Sequence, residues 1–346
     1  MFKILVAVCL LGILIAVFSG GAAAQAGSNC IAPVTDGCGY GWVVAPCPGS
    51  YNCFSEGPYW IWCLAKTYEC PPSAAPPEIA LGPNCETHQC VAGHPVSLAS
   101  GNTFIVEADI RNPGLGRGLS LTRTWNSMWP QTQAVYQTGM FGLNWRCNFE
   151  ERVFVGSDNY IKWARGDGSF WSFGMGAPGW KVAAPANSGA TLALGFSYWT
   201  LTLKNGEQRL FDVLSGHLVE IVDRNGNTTQ LSYDAGGRLA SVTDPASRHL
   251  YFTYGDAQNS LLVTSVTSDF GVFTSYSYDS QNRLTQVVEP DQSTLTFDYN
   301  SQSLIADVKD SSGKILESHT YDTFGRGLTS SRANGVDAIT LFYPSE

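Results

Sequence analysis

Between about residues 94 and 210 the chain is written in short runs that alternate apolar and polar positions. "TFIVEADI", "SLTRTWNS", "ERVFVG", "YIKWA", "SFWSFG", "YWTLTL" and "RLFDV" are examples, each bounded by turn residues. Alternation with a period of two puts every second side chain on one face, so these runs predict half-buried strands. Gly166-Asp167-Gly168 and Asn205-Gly206 suit tight hairpin connections. Beyond the first 20 residues no 3.6-residue apolar period is sustained. The expectation is a mainly β chain, with an antiparallel sandwich or curled sheet over 93–210.

From residue 211 the pattern becomes periodic. Aromatic anchors fall at Phe211, Tyr233, Tyr254, Tyr278, Tyr299, Tyr321 and Tyr343, spaced 22, 21, 24, 21, 22 and 22. Leu231, Phe252, Tyr276, Phe297 and Leu341 each stand two positions before an anchor, which is strand alternation; His319 is the exception. An acidic or amide residue follows most anchors: Asp212, Asp234, Asp279, Asn300 and Asp322. Such side chains bond the backbone two residues on and so start turns. Gly237-Arg238, Asn282-Arg283 and Gly325-Arg326 close them, with Gly or Asn where positive φ is needed. A second apolar pair comes next at Leu239/Val242, Val263/Val266, Leu284/Val287 and Ile305/Val308, then a second turn such as "TDPAS" or "EPDQS". A unit of strand, turn, strand, turn cannot bury its apolar face alone, so a strip of stacked hairpins is expected over 211–346. The tyrosines read as architecture, with a tyrosine-lined binding stripe as the functional alternative.

The N-terminus follows other rules. Lys3, an apolar run from Ile4 to Phe18 and the small residues after it have the layout of a secretory signal peptide over 1–26, cleaved after Ala24 or Ala26. A retained anchor is the alternative, although about 15 apolar residues are short for a membrane span. Residues 27–92 then hold eight cysteines: Cys30, Cys38, Cys47, Cys53, Cys63, Cys70, Cys85 and Cys90. An even count in a short exported segment predicts a disulfide framework; with no Cys-x-x-Cys, zinc is disfavoured. Eight cysteines allow 105 pairings, so the map stays open. Trp42, Trp60 and Trp62 lie among these cysteines. They either fill the small stapled core or present flat rings to a glycan or protein partner. Cys147 stands outside the cluster and reads as a small buried hydrophobe.

The chain has 346 residues, 14% of them charged, with a net charge of −9 and a pI of about 5.0. Without a basic patch it lacks the charge that displaces phosphate counterions, which argues against nucleic-acid binding. "GMGAPG" (Gly174, Gly176, Gly179) fits a dinucleotide fingerprint by letter, but Pro178 and Trp180 follow and no helix opens. "DRNGNTT" at Asp223 lacks the remaining ligands of a calcium loop and fits a two-residue hairpin turn better. His88, His94, His217, His249 and His319 are scattered, and no nucleophile motif accompanies them. No cofactor, metal or catalytic residue is expected. A hydrolase assembled from scattered Asp, Glu and His remains as an alternative.

The periodic stretch resembles the YD repeats of the Rhs family, whose motif is Tyr-Asp-x-x-Gly-Arg-Leu followed by Thr-Asp-Pro-x-Gly. "YDAGGRLASVTDPAS" matches it with Ser247 in place of the last Gly, and "YDSQNRLTQVVEPDQS" and "YDTFGRGLTSSRANG" are looser copies. "HPVSLASGNTFIVEADIRNPGLGRGLSLTRTWNS" is similar to the domain of unknown function that precedes such repeats. The resemblance covers roughly 93–346 and implies a bacterial protein whose repeats wind a β sheet, in larger relatives into a shell around a C-terminal toxin used between competing cells. This chain has about six repeats and no self-cleaving core motif, and it ends at "TLFYPSE", so toxin delivery does not carry over. The expectation is an exported, non-enzymatic Rhs/YD-repeat structural or interaction protein, extracellular or at the cell surface, or the N-terminal part of a split or truncated polymorphic toxin. A secreted carbohydrate-binding protein using the aromatics of the head is the rival. Pairing of another polypeptide with the C-terminal repeat edge is the expected partnership.

Overall fold

The computed structural model describes residues 95–116, 118–156, 160–175, 180–184 and 188–343, with a few short backbone segments before residue 93. Two sheets carry the architecture. In the smaller one, Leu119–Asn126 lies between Phe104–Asn112 and Trp145–Cys147, all antiparallel. The larger is a meander of nineteen strands from Arg152–Val155 to Val336–Thr340, each paired with its successor in the chain. It passes residue 210 without a break, since Tyr198–Thr202 pairs with Gln208–Asp212 and that strand with Leu218–Val222. The chain is therefore mainly β and antiparallel, as its alternation predicts. Instead of a self-contained sandwich over 93–210, the strands after residue 151 open the same sheet that the repeats continue. The smaller sheet packs against it.

The spacing of three within Leu239/Val242 is not strand alternation, and the ladder shows what restores it. Tyr233 pairs with Leu239 and Ser232 with Ser241, so Ala240 is an extra residue. Such a bulge resets the pleat by one position and brings both apolar side chains to the buried face. Thr264, Thr285 and Ala306 occupy the same place in the next units. Leu239, Val242, Val263, Val266, Leu284, Val287, Ile305 and Val308 are all buried.

The turns share one frame. In the unit that opens at Tyr233, the Asp234 amide bonds the Arg238 carbonyl and the Gly237 amide bonds the Asp234 carbonyl. Asp234 Oδ1 accepts the amides of Gly236 and Arg238, while Oδ2 accepts Arg238 Nε at 2.7 Å. Asp279–Arg283 and Asp322–Arg326 repeat this clamp. The fourth position takes positive φ, at 76° for Gly237, 60° for Asn282 and 61° for Ser247, which is why serine can stand there only at some conformational cost. At "DRNGNTT" the loop has three residues, Arg224 to Gly226, rather than the expected two: Asp223 N bonds Asn227 O, and Gly226 supplies the positive φ.

Each tyrosine then ties its unit to the one before. The hydroxyls of Tyr233, Tyr254, Tyr278, Tyr299, Tyr321 and Tyr343 donate to the carbonyls of Leu218, Leu239, Val263, Leu284, Ile305 and Gly327 at 2.6–2.9 Å. The acceptor is always the first residue of a strand in the preceding unit. The rings are architectural, as the period implies.

One hydrophobic core spans both sheets. Trp125, Trp145 and Phe141 join Phe211, Leu231, Tyr276 and Phe297 in it. Trp145 meets Phe297 edge-on at 5.3 Å, and Phe141 meets Tyr276 at 4.8 Å. Backbone bonds reinforce the contact: Leu143 N to Asn282 O, Val263 N to Met140 O, and Gly327 N to Gly101 O. Residues 95–150 thus act as a filler for the face that the repeats cannot cover alone.

Candidate functional site

The aromatic candidates Trp42, Trp60 and Trp62, and the cysteines Cys30, Cys38, Cys47, Cys53, Cys63, Cys70, Cys85 and Cys90, have side chains outside the described residues. So do His88 and His94. In "GMGAPG", Gly174 belongs to the strand Phe170–Met175 and the next strand opens at Trp180; residues 176–179 lie outside the described ones. Cys147 is a buried free thiol beside the Met140 sulfur at 3.8 Å, with its pKa pushed up by burial.

The described histidines do not converge. His249 Nδ1 meets Asp269 Oδ2 at 2.8 Å on the surface, with Tyr251 stacked on the ring. His319 is buried in its strand, 3.5 Å from Glu317. His217 lies over the ring of Tyr233 at 4.7 Å, where Arg238 lies over Tyr254. Burial and the charge of Arg152 lower its pKa to about 4. At neutral pH it is an uncharged imidazole.

His217 also lines a cleft of about 420 Å³ between the filler and the first repeats. One wall comes from residues 135–152, including Tyr136, Met140, Arg146, Glu150 and Arg152. The other comes from repeat turns, with Tyr233, Arg238, Leu239, Tyr254, Asn259 and Leu261. The short pair Thr138–Gly139 and Gly142–Leu143 folds the chain back so that Gly139 sits on Arg146 and Glu150. A Cβ at Gly139 would stand 2.3 Å from the Trp145 carbonyl oxygen, 2.8 Å from Glu150 Oε1 and 2.9 Å from Arg146 Nη1, so the absent side chain is what lets this backbone lie against Trp145 and the ion pair. Arg146 Nη1 donates to Glu150 Oε1 at 2.6 Å, and the Met140 amide donates to the same oxygen at 2.8 Å. The Trp129 ring lies 5.2 Å from the guanidinium. Burial raises the Glu150 pKa, opposed by Arg146.

A second charged group holds the filler in place. Asp109 is the extra residue of a bulge in Phe104–Asn112, since Leu121 pairs with Ile110 and Thr122 with Ala108. The bulge turns Asp109 inward, where it accepts Arg123 Nε at 2.5 Å, Arg123 Nη2 at 2.7 Å and the Tyr276 hydroxyl at 2.7 Å. Arg123 is fully buried among Phe141, Trp145 and Tyr276. Among the described residues no group of three or more His, Cys, Asp or Glu side chains is placed to hold a metal ion.

Neither Arg146 and Glu150 nor Asp109 and Arg123 was singled out from the sequence. For Arg146 and Glu150 the available signal is charge inside an aromatic stretch, "FGLNWRCNFEERVFV", where a solvated face is not expected; Asp109 and Arg123 lie outside it.

The family described as "Domain of unknown function (DUF6531)" matches residues 93–173, and "RHS Repeat" matches residues 214–249 and 252–294. No curated protein matches the chain. Among solved structures, the crystal structure of TcdB2-TccC3-Cdc42 is similar over 69% of this chain and 12% of that one, at 15% identity and a TM-score of 0.28. TcdB2-TccC3-TEV covers 66% and 14%, at 10% identity and a TM-score of 0.26. The Photorhabdus luminescens Tc holotoxin pore covers 69% and 17%, at 12% identity and a TM-score of 0.23. The chain spans less than a fifth of those chains, and likenesses of this size assign it no activity.

Proposed function

The chain belongs to the Rhs/YD-repeat family, and from that premise we propose that it is a non-catalytic structural and interaction module of a toxin-related bacterial system, exported to the cell surface or beyond. The filler seals one face of the sheet, and the repeats extend the sheet towards a partner. The supporting observation is the asymmetry of the two sheet edges. The first strand is covered, because Val153 N bonds Gly216 O and Leu218 N bonds Glu151 O, so the sheet curls back onto its own beginning. At the other end, Val336–Thr340 pairs with Gly327–Arg332 on one side only among the described residues, and most of its residues are exposed. Unpaired edge backbone recruits a further strand. The proposed occupant is another polypeptide.

Sedimentation of the full chain at rising concentration tests this. Association that Ala338→Lys removes, with folding unchanged, supports it, because a lysine on an edge strand opposes pairing. A strict monomer at high concentration speaks against it. Export is checked separately by N-terminal sequencing of material recovered outside the cell: an intact Lys3 overturns that part.

A further inference from the structure

One repeat breaks the period, and it does so at the cleft between filler and repeats. Six positions separate Tyr233 from Leu239, Tyr278 from Leu284, Tyr299 from Ile305 and Tyr321 from Gly327, where the next strand opens. Nine separate Tyr254 from Val263. The extra residues enlarge the turn after Tyr254, and its Asn259 and Leu261 line the cleft. Hydrogen bonds hold this turn in place. Asn259 Nδ2 donates to Asn282 Oδ1 at 3.2 Å, Arg238 Nη1 donates to the Ser260 carbonyl at 2.9 Å, and the Val263 amide bonds the Met140 carbonyl. Insertions in a repeat array fall in loops, often on the binding face. Leu261 is 59% exposed, and Val135 on the facing wall is 83% exposed. The buried side chains of Met140, Phe149 and Leu239 also line the cleft, so its interior is mainly apolar.

The charges lining this cleft are compensated with one exception. Glu150 pairs with Arg146, Glu151 with Arg209, and Arg238 with Asp234. Arg152 donates Nε and Nη2 to the Ser215 carbonyl at 3.1 and 2.8 Å, and among the described residues it has no carboxylate partner. Its guanidinium stands 5.9 Å from the ring centre of Tyr136, and its charge reaches His217; both rings line the cleft. With His217 uncharged at neutral pH, Arg152 sets the sign of the site. An ammonium would be repelled there, and a neutral ligand would leave the charge unanswered. A carboxylate answers it through a charge-assisted hydrogen bond. We propose that the cleft binds a small organic acid, with its carboxylate on Arg152 and its apolar body against Val135, Tyr136 and Leu261. Aromatic acids and short fatty acids share this chemistry, and about 420 Å³ is within the range of small-molecule sites. The inference does not depend on the module reading, since it concerns another surface.

Titration of the full chain, followed by protein NMR, separates the outcomes. The probes are 2-naphthoate, octanoate, the amide of each, and acetate. At least one of the two larger acids should saturate, with about tenfold preference over its own amide and over acetate, which has no apolar body. The tighter of the two identifies the body as ring or chain. Arg152→Gln should bring that acid down to the affinity of its amide and leave the amide unchanged. Leu261→Ser, at an exposed position, should weaken acid and amide alike, by about threefold or more. Saturation by neither acid, equal affinity of acid and amide, an unchanged preference in a folded Arg152→Gln protein, or unaltered binding in Leu261→Ser overturns the proposal. If Arg152→Gln does not fold, the wild-type ranking and Leu261→Ser decide.

Discussion

The hydroxyl of Tyr254 donates a 2.9 Å hydrogen bond to the carbonyl of Leu239, and the guanidinium of Arg238 lies 4.7 Å over the same ring. Tyr299 has this relation with Leu284 and Arg283, and Tyr343 with Gly327 and Arg326. Each arginine is also clamped by the aspartate that starts its own turn, so turn, ring and neighbouring strand form one mechanical unit. Where the arginine is missing, other groups cover the ring: His217 lies over Tyr233, and Trp125 meets Tyr321 edge-on at 6.4 Å.

Removing the Tyr254 hydroxyl alone should therefore be measurable. Tyr254→Phe keeps the ring under Arg238 and is expected to lower stability by about 0.5–1.5 kcal/mol in urea unfolding. Tyr254→Leu should cost more, through the lost ring and its cation contact. Equal stability of Tyr254→Phe and the wild type would mean that the tie contributes nothing.

The Asp109–Arg123 pair makes a larger prediction. Asp109→Ala leaves a guanidinium fully buried with its principal partner gone, and a loss of about 3–5 kcal/mol follows. Combining Asp109→Leu with Arg123→Met removes both charges and should recover much of that loss. Comparison of the two melting curves checks it.

Two glycines separate backbone strain from crowding. Gly313 has a φ of 81° and open space around it, so Gly313→Ala is expected to cost about 1–2 kcal/mol from conformation alone. A Cβ on Gly327 would stand 2.4 Å from Thr103 Oγ1 and about 3.1 Å from the Val96 methyls, where filler and repeats touch. Gly327→Ala should destabilise by crowding, on the order of 1–3 kcal/mol, and should loosen the filler first, read by amide exchange at Val96 and Thr103.

Stability should also depend on pH. Burial pushes the carboxyls of Glu107 and Glu289 up to about 7 from an ordinary 4.5, with neighbouring Asp109 adding to the shift and Arg123 opposing it. Their contribution is fully present below about pH 4.5 and is lost as pH rises through 7. His217 acts the other way: its pKa falls to about 4, so its contribution is complete above 6.5 and is lost on acidification towards 4. Glu107→Gln should flatten the decline in melting temperature between pH 5 and about 7.5. An unaltered pH profile in that variant would count against the buried acid.

The repeat units were legible before any coordinates, because each depends on neighbours within about 22 residues. Alternation marks the strands, the Asx side chain marks the turn start, and glycine or asparagine marks the positive φ. The cleft was not legible. Arg146 and Glu150 look like ordinary charges until Gly139 folds against them, and their opposite wall comes from Tyr233 and Tyr254, roughly a hundred residues later in the chain.

By itself, the order of residues determined the period, the turn chemistry and the architectural role of the tyrosines, since local hydrogen bonds and side-chain alternation operate within one unit. Only the tertiary structure decided that Asp109 faces Tyr276, that residues 95–150 share a core with the repeats, and that the first strand of the large sheet is covered while Val336–Thr340, among the described residues, pairs on one side only. Those outcomes depend on how apolar faces distant in the chain meet to leave water, and no short-range pattern records that pairing.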